Sequence, residues 1–293
     1  MTVLPGSIIA VDGNVRSHTG ALTAETIDPI VVVALVISTR PEAVDNYRYC
    51  AEFAARVIGH KADVAKVLDF GCGAGQIVKL LRNIGISAFG CDAFYGGGAE
   101  PIPDELSGFI FTMRGNVIPF PSCTFDVVIN NQVMEHVQDL EAALFEIHRV
   151  LKPGGTLLNL FPDKSIWREG HCGVPFLHWF SRHSTLRIYY ALLWRSIGFG
   201  NFTEGKSRLE WAKEFCTWLD QWTVYRSYGE IAMAYGKYFS TMQHIEDHWL
   251  ESRLGSVARP LPTYLKQIFV NKFAGMVFTC TKVDRAQQQL PAF

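Results

Sequence analysis

No two of the seven cysteines in this 293-residue sequence form a CxxC pair, so a zinc clip and a thioredoxin-type redox motif are both disfavoured. Cys50, Cys72, Cys91, Cys123, Cys172, Cys216 and Cys280 are scattered. An odd count fits free thiols in a reducing compartment better than a disulfide framework. A surplus of charge is also missing: 27 Lys and Arg against 28 Asp and Glu leave a net charge of −1. Without a basic surplus there is no electrostatic footprint for a polyanion, which argues against DNA or RNA as a partner. The strongly apolar run at 30–38 is too short to span a bilayer. The N-terminal stretch lacks the positively charged start of a secretory signal. A soluble, cytoplasmic protein without stable membrane insertion is therefore expected. Disorder is excluded by composition, because hydrophobic residues make up 48 % and charged residues only 19 %.

What is present reads as one large domain carrying an insertion. Residues 1–40 form an N-terminal extension, whose apolar run is either a buried strand or the start of a helix. Thr39-Arg40-Pro41-Glu42 is a capping box, a hydroxyl followed three residues later by a carboxylate. It predicts a helix through Val57, stopped by Gly59. Short apolar runs at 64–70, 88–91, 109–114, 125–130 and 156–161 read as strands. They alternate with a helix at 76–83 and with one whose apolar face is Leu140, Ala143, Leu144, Ile147, Val150 and Leu151. Lys152-Pro153-Gly154-Gly155 reads as the turn that ends the latter. A last strand is expected at 275–283. Alternating strands and helices imply an α/β fold, a doubly wound, mostly parallel sheet. Residues 163–265 look mostly helical and hold all seven tryptophans. They are expected to form a helical insertion over a domain made of 41–162 and 266–285.

The most informative segment is Val67-Leu68-Asp69-Phe70-Gly71-Cys72-Gly73-Ala74-Gly75. A strand ends, alternate glycines make a tight turn, and a helix begins. A dinucleotide fingerprint, G-x-G-x-x-G, would need its third glycine at Gln76, and Asp69 suits phosphates poorly. Further on stand Asp92, then Gly115-Asn116-Val117-Ile118-Pro119-Phe120-Pro121, then Phe125-Asp126-Val127-Val128. They are followed by Asn130-Asn131-Gln132-Val133-Met134-Glu135-His136 and by Glu146-Ile147-His148-Arg149-Val150-Leu151-Lys152-Pro153-Gly154-Gly155. In this order and spacing, residues 41–162 resemble the class I S-adenosylmethionine-dependent methyltransferases, in particular the large subgroup that acts on small molecules.

The resemblance implies a Rossmann-like, seven-stranded sheet and S-adenosylmethionine as cofactor. Asp69, Gly71, Cys72, Gly73 and Gly75 would surround its methionine part, and Asp92 with Ala93 its ribose. Asn116 and Val117 would hold the adenine; the family usually has Asp where Asn116 stands, and an amide oxygen still accepts from an exocyclic amine. Asn131 and Gln132 would flank the reaction centre. Asp126 reads as structural, and His148 and Arg149 as solvated helix surface.

Two histidines are candidate catalytic groups. His136 follows the fourth strand and either faces the acceptor or bonds backbone at a helix start. His171, in Trp167-Arg168-Glu169-Gly170-His171-Cys172-Gly173, leaves from the edge where open α/β sheets bind ligands. It either reaches the acceptor as a base or packs the insertion onto the sheet. His178 is read as bonding backbone, and the tryptophans as helix core more than a substrate cage. The expected activity is methyl transfer to an oxygen, or less favourably a nitrogen, of a small metabolite, sugar or lipid-like precursor. Aminopropyl transfer and a non-catalytic binding or partner module are the alternatives. No metal is required, and a homodimer is compatible with this reading.

Overall fold

The apolar runs around the glycine loop become the centre of a seven-stranded sheet. A computed structural model describes residues 45–61, 63–94 and 101–283. The extension 1–40, with its apolar run and the Thr39–Glu42 capping box, lies outside these residues. The first described helix, α1 (Asn46–Ile58), is capped by Asp45, whose carboxylate accepts from the Arg48 amide at 2.7 Å. Gly59 closes it as expected. Strand β1 (Lys66–Phe70) starts two residues later than its apolar run, because Val64 stands 73 % exposed in a turn. The loop and α2 (Gln76–Asn83) follow, then β2 (Ser87–Asp92) and β3 (Ile110–Thr112). After β4 (Phe125–Asn131) come α3 (Leu140–Val150) and β5 (Leu151–Phe161). The later segment contains α4 (Thr185–Ser196), α5 (Arg208–Trp222), α6 (Tyr228–Gly236), β6 (Met242–His244), α7 (Glu246–Leu254), α8 (Thr263–Phe273) and β7 (Met276–Thr281).

The strand order is β3-β2-β1-β4-β5-β7-β6. β7 runs antiparallel to both its neighbours, and the other pairs are parallel. β4 is buried along almost its whole length, as a central strand covered on both faces must be. The carboxyl ends of β1, β2 and β4 therefore lie along one edge.

One sequence expectation is corrected here. Lys152–Gly155 is not a turn between elements. Strand β5 begins at Leu151, and pairing with β4 jumps from Phe125↔Leu151 to Val127↔Thr156, so the Pro-Gly-Gly segment is a bulge inside the strand. Gly154, at φ 74°, and Gly155 bond to Lys282 on the far side. The region 163–265 holds α4 to α7, and β6 joins the sheet within it.

Two buried clusters draw on that region. Ile231, Ala234, Tyr235 and Phe239 belong to the same buried cluster as Leu144, Val128 and Phe278 of the sheet core. A second cluster, containing Leu177, Ala191, Trp211, Ala212, Cys216 and Leu219, belongs to α4, α5 and the stretch before them. Helices α5 and α6 begin with capping boxes, Ser207 with Glu210 and Ser227 with Glu230.

Asp126 is structural, accepting from the Lys66 amide and from Lys152 Nζ. Arg149 is not solvated surface: its side chain is 25 % exposed, and its guanidinium ties α3 to the carbonyls of Ile118 and Phe120 while pairing with Glu146.

Candidate active site

Gly71, Gly73 and Gly75 take φ values of 74°, 49° and 81°, a region that costs a side chain energy. The first and second do different work. A Cβ on Gly71 would lie 2.3 Å from Val133 Cγ2, so this glycine lets the loop pack on the segment after β4. A Cβ on Gly73 would meet nothing within 4 Å. Its backbone borders open space. Asp92, at the end of β2, fixes the loop: Oδ2 accepts from the Gly73 amide at 2.9 Å and Oδ1 from the Phe94 amide at 2.8 Å. Each oxygen keeps a further lone pair for a ligand hydroxyl.

Beside this loop lies a cavity of about 530 Å³. Six residues singled out from the sequence line it: Gly71, Asp92, Ala93, Asn116, Gln132 and His136. The sheet edge adds Phe70, Met113, Gly115, Val133, Val137 and Gln138. Arg182, Asp220, Gln221 and Trp222 complete it from the segment holding α4 and α5. Nothing in the sequence marked Arg182, Asp220 or Gln221, which reach the cavity only through tertiary packing, and Trp222 stood out only as one of the seven tryptophans. Of the seven tryptophans, Trp222 lines this cavity and Trp211 is helix core.

The remaining candidates do not line it. Asp69 is 4 % exposed, and burial, with Asp92 nearby, holds its carboxyl well above the ordinary range. Cys72 is buried too, and its thiol is pushed up by burial, then by Asp69 and Asp92, which leaves it unreactive. Gly73 and Gly75 shape the loop, Gly75 standing at the N-cap of α2. Val117 is 58 % exposed. Asn131 Oδ1 is buried and receives no hydrogen bond among the described residues. Gln132, which does line the cavity, sits at φ 58° and is anchored by its backbone amide to the Leu160 carbonyl at 2.7 Å.

The two histidines meet. His136 Nδ1 lies 2.8 Å from the Trp222 carbonyl, and its Nε2 lies 3.2 Å from Nε2 of His171. His171 stands behind the cavity wall, with Nδ1 2.7 Å from Glu169 Oε1. Glu169 is fully buried and also accepts from the Tyr225 hydroxyl at 2.8 Å and the Cys172 amide at 2.7 Å. Burial alone would raise the Glu169 carboxyl. The hydrogen bonds and charge of His171, with those of Cys172 and Tyr225, outweigh it and hold the carboxyl at about 2. For His171, burial lowers the pKa, but Glu169 and then Glu135 bring it above its ordinary value. Burial pushes His136 down. Glu169 escaped the sequence reading, although its i, i+2 spacing to His171 was a usable signal. His178 bonds the Lys164 carbonyl at 3.2 Å, as expected.

The profile of the methyltransferase-domain family matches residues 43–221. The chain belongs to this family. It is a class I S-adenosylmethionine-dependent methyltransferase by fold, by loop and by this match. Human mitochondrial ubiquinone biosynthesis O-methyltransferase is 34 % identical over 100 residues, 31 % of this chain and 27 % of that protein. A probable S-adenosylmethionine-dependent methyltransferase of Mycolicibacterium smegmatis is 29 % identical over 131 residues, 44 % of this chain and 50 % of that protein. These matches span half or less of either relative's length. An S-adenosylmethionine-dependent methyltransferase from Mesorhizobium loti aligns with 81 % of this chain and 100 % of its own, at 12 % identity and a TM-score of 0.43.

The donor set fits the family's cofactor. Gly73 leaves open space where a side chain would intrude. Asp92 offers a carboxylate at the cavity, and Asn116 an amide. Among the described residues no group of His, Cys, Asp and Glu is placed to hold a metal ion. No described helix is long and apolar enough to cross a membrane.

Proposed function

We propose that this methyltransferase acts on an oxygen, or less favourably a nitrogen, of a small metabolite, sugar or lipid-like precursor. S-adenosylmethionine, when bound, supplies a methyl group already activated as a sulfonium. The protein's task is then to align and to exclude water. One observation carries the reading: a single cavity is lined both by Gly71, Asp92 and Asn116 and by Arg182, Gln221 and Trp222. In this reading Gly71, Gly73 and Ala93 leave room for the cofactor, Asp92 receives its ribose hydroxyls, and Asn116 accepts from its adenine. The segment with α4 and α5 caps the acceptor end, and Trp222 walls it from water. His136, on the same wall, faces that end. A cytoplasmic location is supported by seven free cysteines, six of them buried.

Titration calorimetry with S-adenosylmethionine tests the cofactor half. The wild type should bind one equivalent, and Asp92→Ala should bind 10- to 100-fold more weakly, about 1.4–3 kcal/mol. Equal affinity in a folded Asp92→Ala protein removes Asp92 from the site. The acceptor half is tested with methyl-labelled cofactor and a deproteinised cell extract. Label in a low-mass product supports the small-molecule reading, and label on added protein alone overturns it.

A further inference from the structure

Between the cavity and the Glu169 carboxylate stand two imidazoles whose protons can be counted from their partners. The Trp222 carbonyl can only accept, so His136 Nδ1 carries a hydrogen. Glu169 receives the Tyr225 hydroxyl and the Cys172 amide, and is therefore held as a carboxylate. His171 Nδ1, 2.7 Å from that carboxylate, carries a hydrogen too. The two Nε2 atoms then face each other at 3.2 Å. Two lone pairs at that distance repel, so one proton lies between them. The two rings hold three protons, one more than two neutral imidazoles hold, and the pair bears one positive charge beside one buried negative charge.

Resting on the reading above, we infer that Glu169 is a positioning residue that holds His171 and His136 as a proton-sharing pair with a single positive charge on the cavity wall. His136 then faces the acceptor with both ring nitrogens engaged. It offers a fixed positive charge rather than a vacant lone pair. Arg182 lies at the same end, its guanidinium donating to the Thr223 carbonyl at 2.8 Å, while the neighbouring Asp220 is matched by Arg187. The acceptor end is thus cationic, and it suits an acceptor whose attacking hydroxyl binds ionised, such as a phenol or an enol. This differs from the expectation of a histidine base, and Glu169 is the reason.

Among the described residues, the charged and titratable groups that act on the pair include the following. Glu169 and Tyr225 stand behind His171. Glu135, from the segment after β4, is buried nearby and acts on both His171 and Glu169. Asp92 acts on His136 from across the cavity. The Trp218 ring packs on both imidazoles, with centroids at 6.2 and 5.0 Å.

Histidine-labelled nitrogen NMR on the full chain tests the inference. At pH 7 one imidazole should show both nitrogens protonated, and the other should be the Nδ1–H form sharing its Nε2. In Glu169→Gln the titration midpoint of the pair should fall by about 1–3 pH units, and Glu169→Asp, which keeps the charge, should recover part of it. Tyr225→Phe guards against misfolding in that series. It leaves the carboxylate with one donor fewer, so the midpoint should stay or rise. Two independent neutral imidazoles at pH 7, no shift in folded Glu169→Gln, or a fall in Tyr225→Phe would each overturn the pair. Titration with S-adenosylmethionine separates the two readings: loss of binding in the wild type overturns the cofactor assignment and leaves the pair standing.

Discussion

At the scale of single residues, Glu135 shows how burial sets chemistry. It is 2 % exposed, and its Oε2 receives no hydrogen bond among the described residues. Burial raises its carboxyl from 4.5 to about 7, a shift that His171 tempers. The folded state therefore holds a proton that the unfolded chain releases between these values. Stability should be unaffected by this group below pH 4.5 and should fall as pH rises through 7, by on the order of 3 kcal/mol at most. Glu135→Gln removes the titration and keeps the shape. Relative to wild type it should gain stability at pH 8 and gain little at pH 5, read from denaturant midpoints at the two pH values. A difference that does not change with pH would mean that Glu135 titrates normally in the fold. The same residue was invisible to motif reading, since it lies inside the segment Asn130–His136 with nothing to mark it as buried. Gly71, Asp92, Asn116, Gln132 and His136 were legible, because each lies in a segment that carries the family resemblance. Glu169 was not, because nothing in its i, i+2 spacing to His171 marks it as buried, and Arg182 was not, because its partner Thr223 is remote in the chain and becomes a neighbour only in the folded protein.

At the scale of elements, the glycine loop joins β1 to α2, and its first two glycines are constrained by different things. Both sit at positive φ, where replacing glycine by alanine costs about 1–2 kcal/mol. Gly73→Ala should cost only that. Gly71→Ala adds a Cβ 2.3 Å from Val133, and overpacking of this kind costs typically about 1–3 kcal/mol more. Urea unfolding should therefore rank Gly71→Ala as the less stable, whereas calorimetry should show Gly73→Val losing S-adenosylmethionine although its fold survives. Equal stabilities for the two alanine variants would deny the Val133 contact, and near-normal cofactor affinity in Gly73→Val would detach the loop from the cofactor. Element legibility followed the same physics. The central strands were found because burial on both faces makes them continuous apolar runs. Strand β6 was missed because Met242-Gln243-His244 is short, half-exposed and neither apolar nor alternating. The start of β5 was misread because Pro153, Gly154 and Gly155 signal a turn equally well when they form a bulge.

For the whole molecule, the segment after β5 contributes to two separate buried clusters. Tyr235 of α6 is fully buried, its hydroxyl donates to Asn159 of β5, and its ring packs edge-on to Phe278 of β7. That helix is part of the sheet's core. Helices α4 and α5 instead bury residues against each other in their own cluster, joined by the buried pair of Arg187 with Asp220. A part with its own core can open without the rest. Leu144 and Leu219 are both fully or almost fully buried, one in each cluster. Truncation of either to alanine should cost about 2–5 kcal/mol locally, but the cost should appear in different places. Leu144→Ala, and with it Ile231→Ala in α6, should lower the stability of the whole chain and speed amide exchange in the central strands. Leu219→Ala should speed exchange in α4 and α5 and leave β1, β4 and β5 nearly as protected as before. Exchange monitored by mass spectrometry on the three variants decides the matter. If Leu219→Ala raises exchange equally in the sheet, the molecule unfolds as one unit. If only α4 and α5 respond, the acceptor end of the cavity can loosen while the glycine loop and Asp92 stay in place, which is what a cap that admits and releases substrate requires.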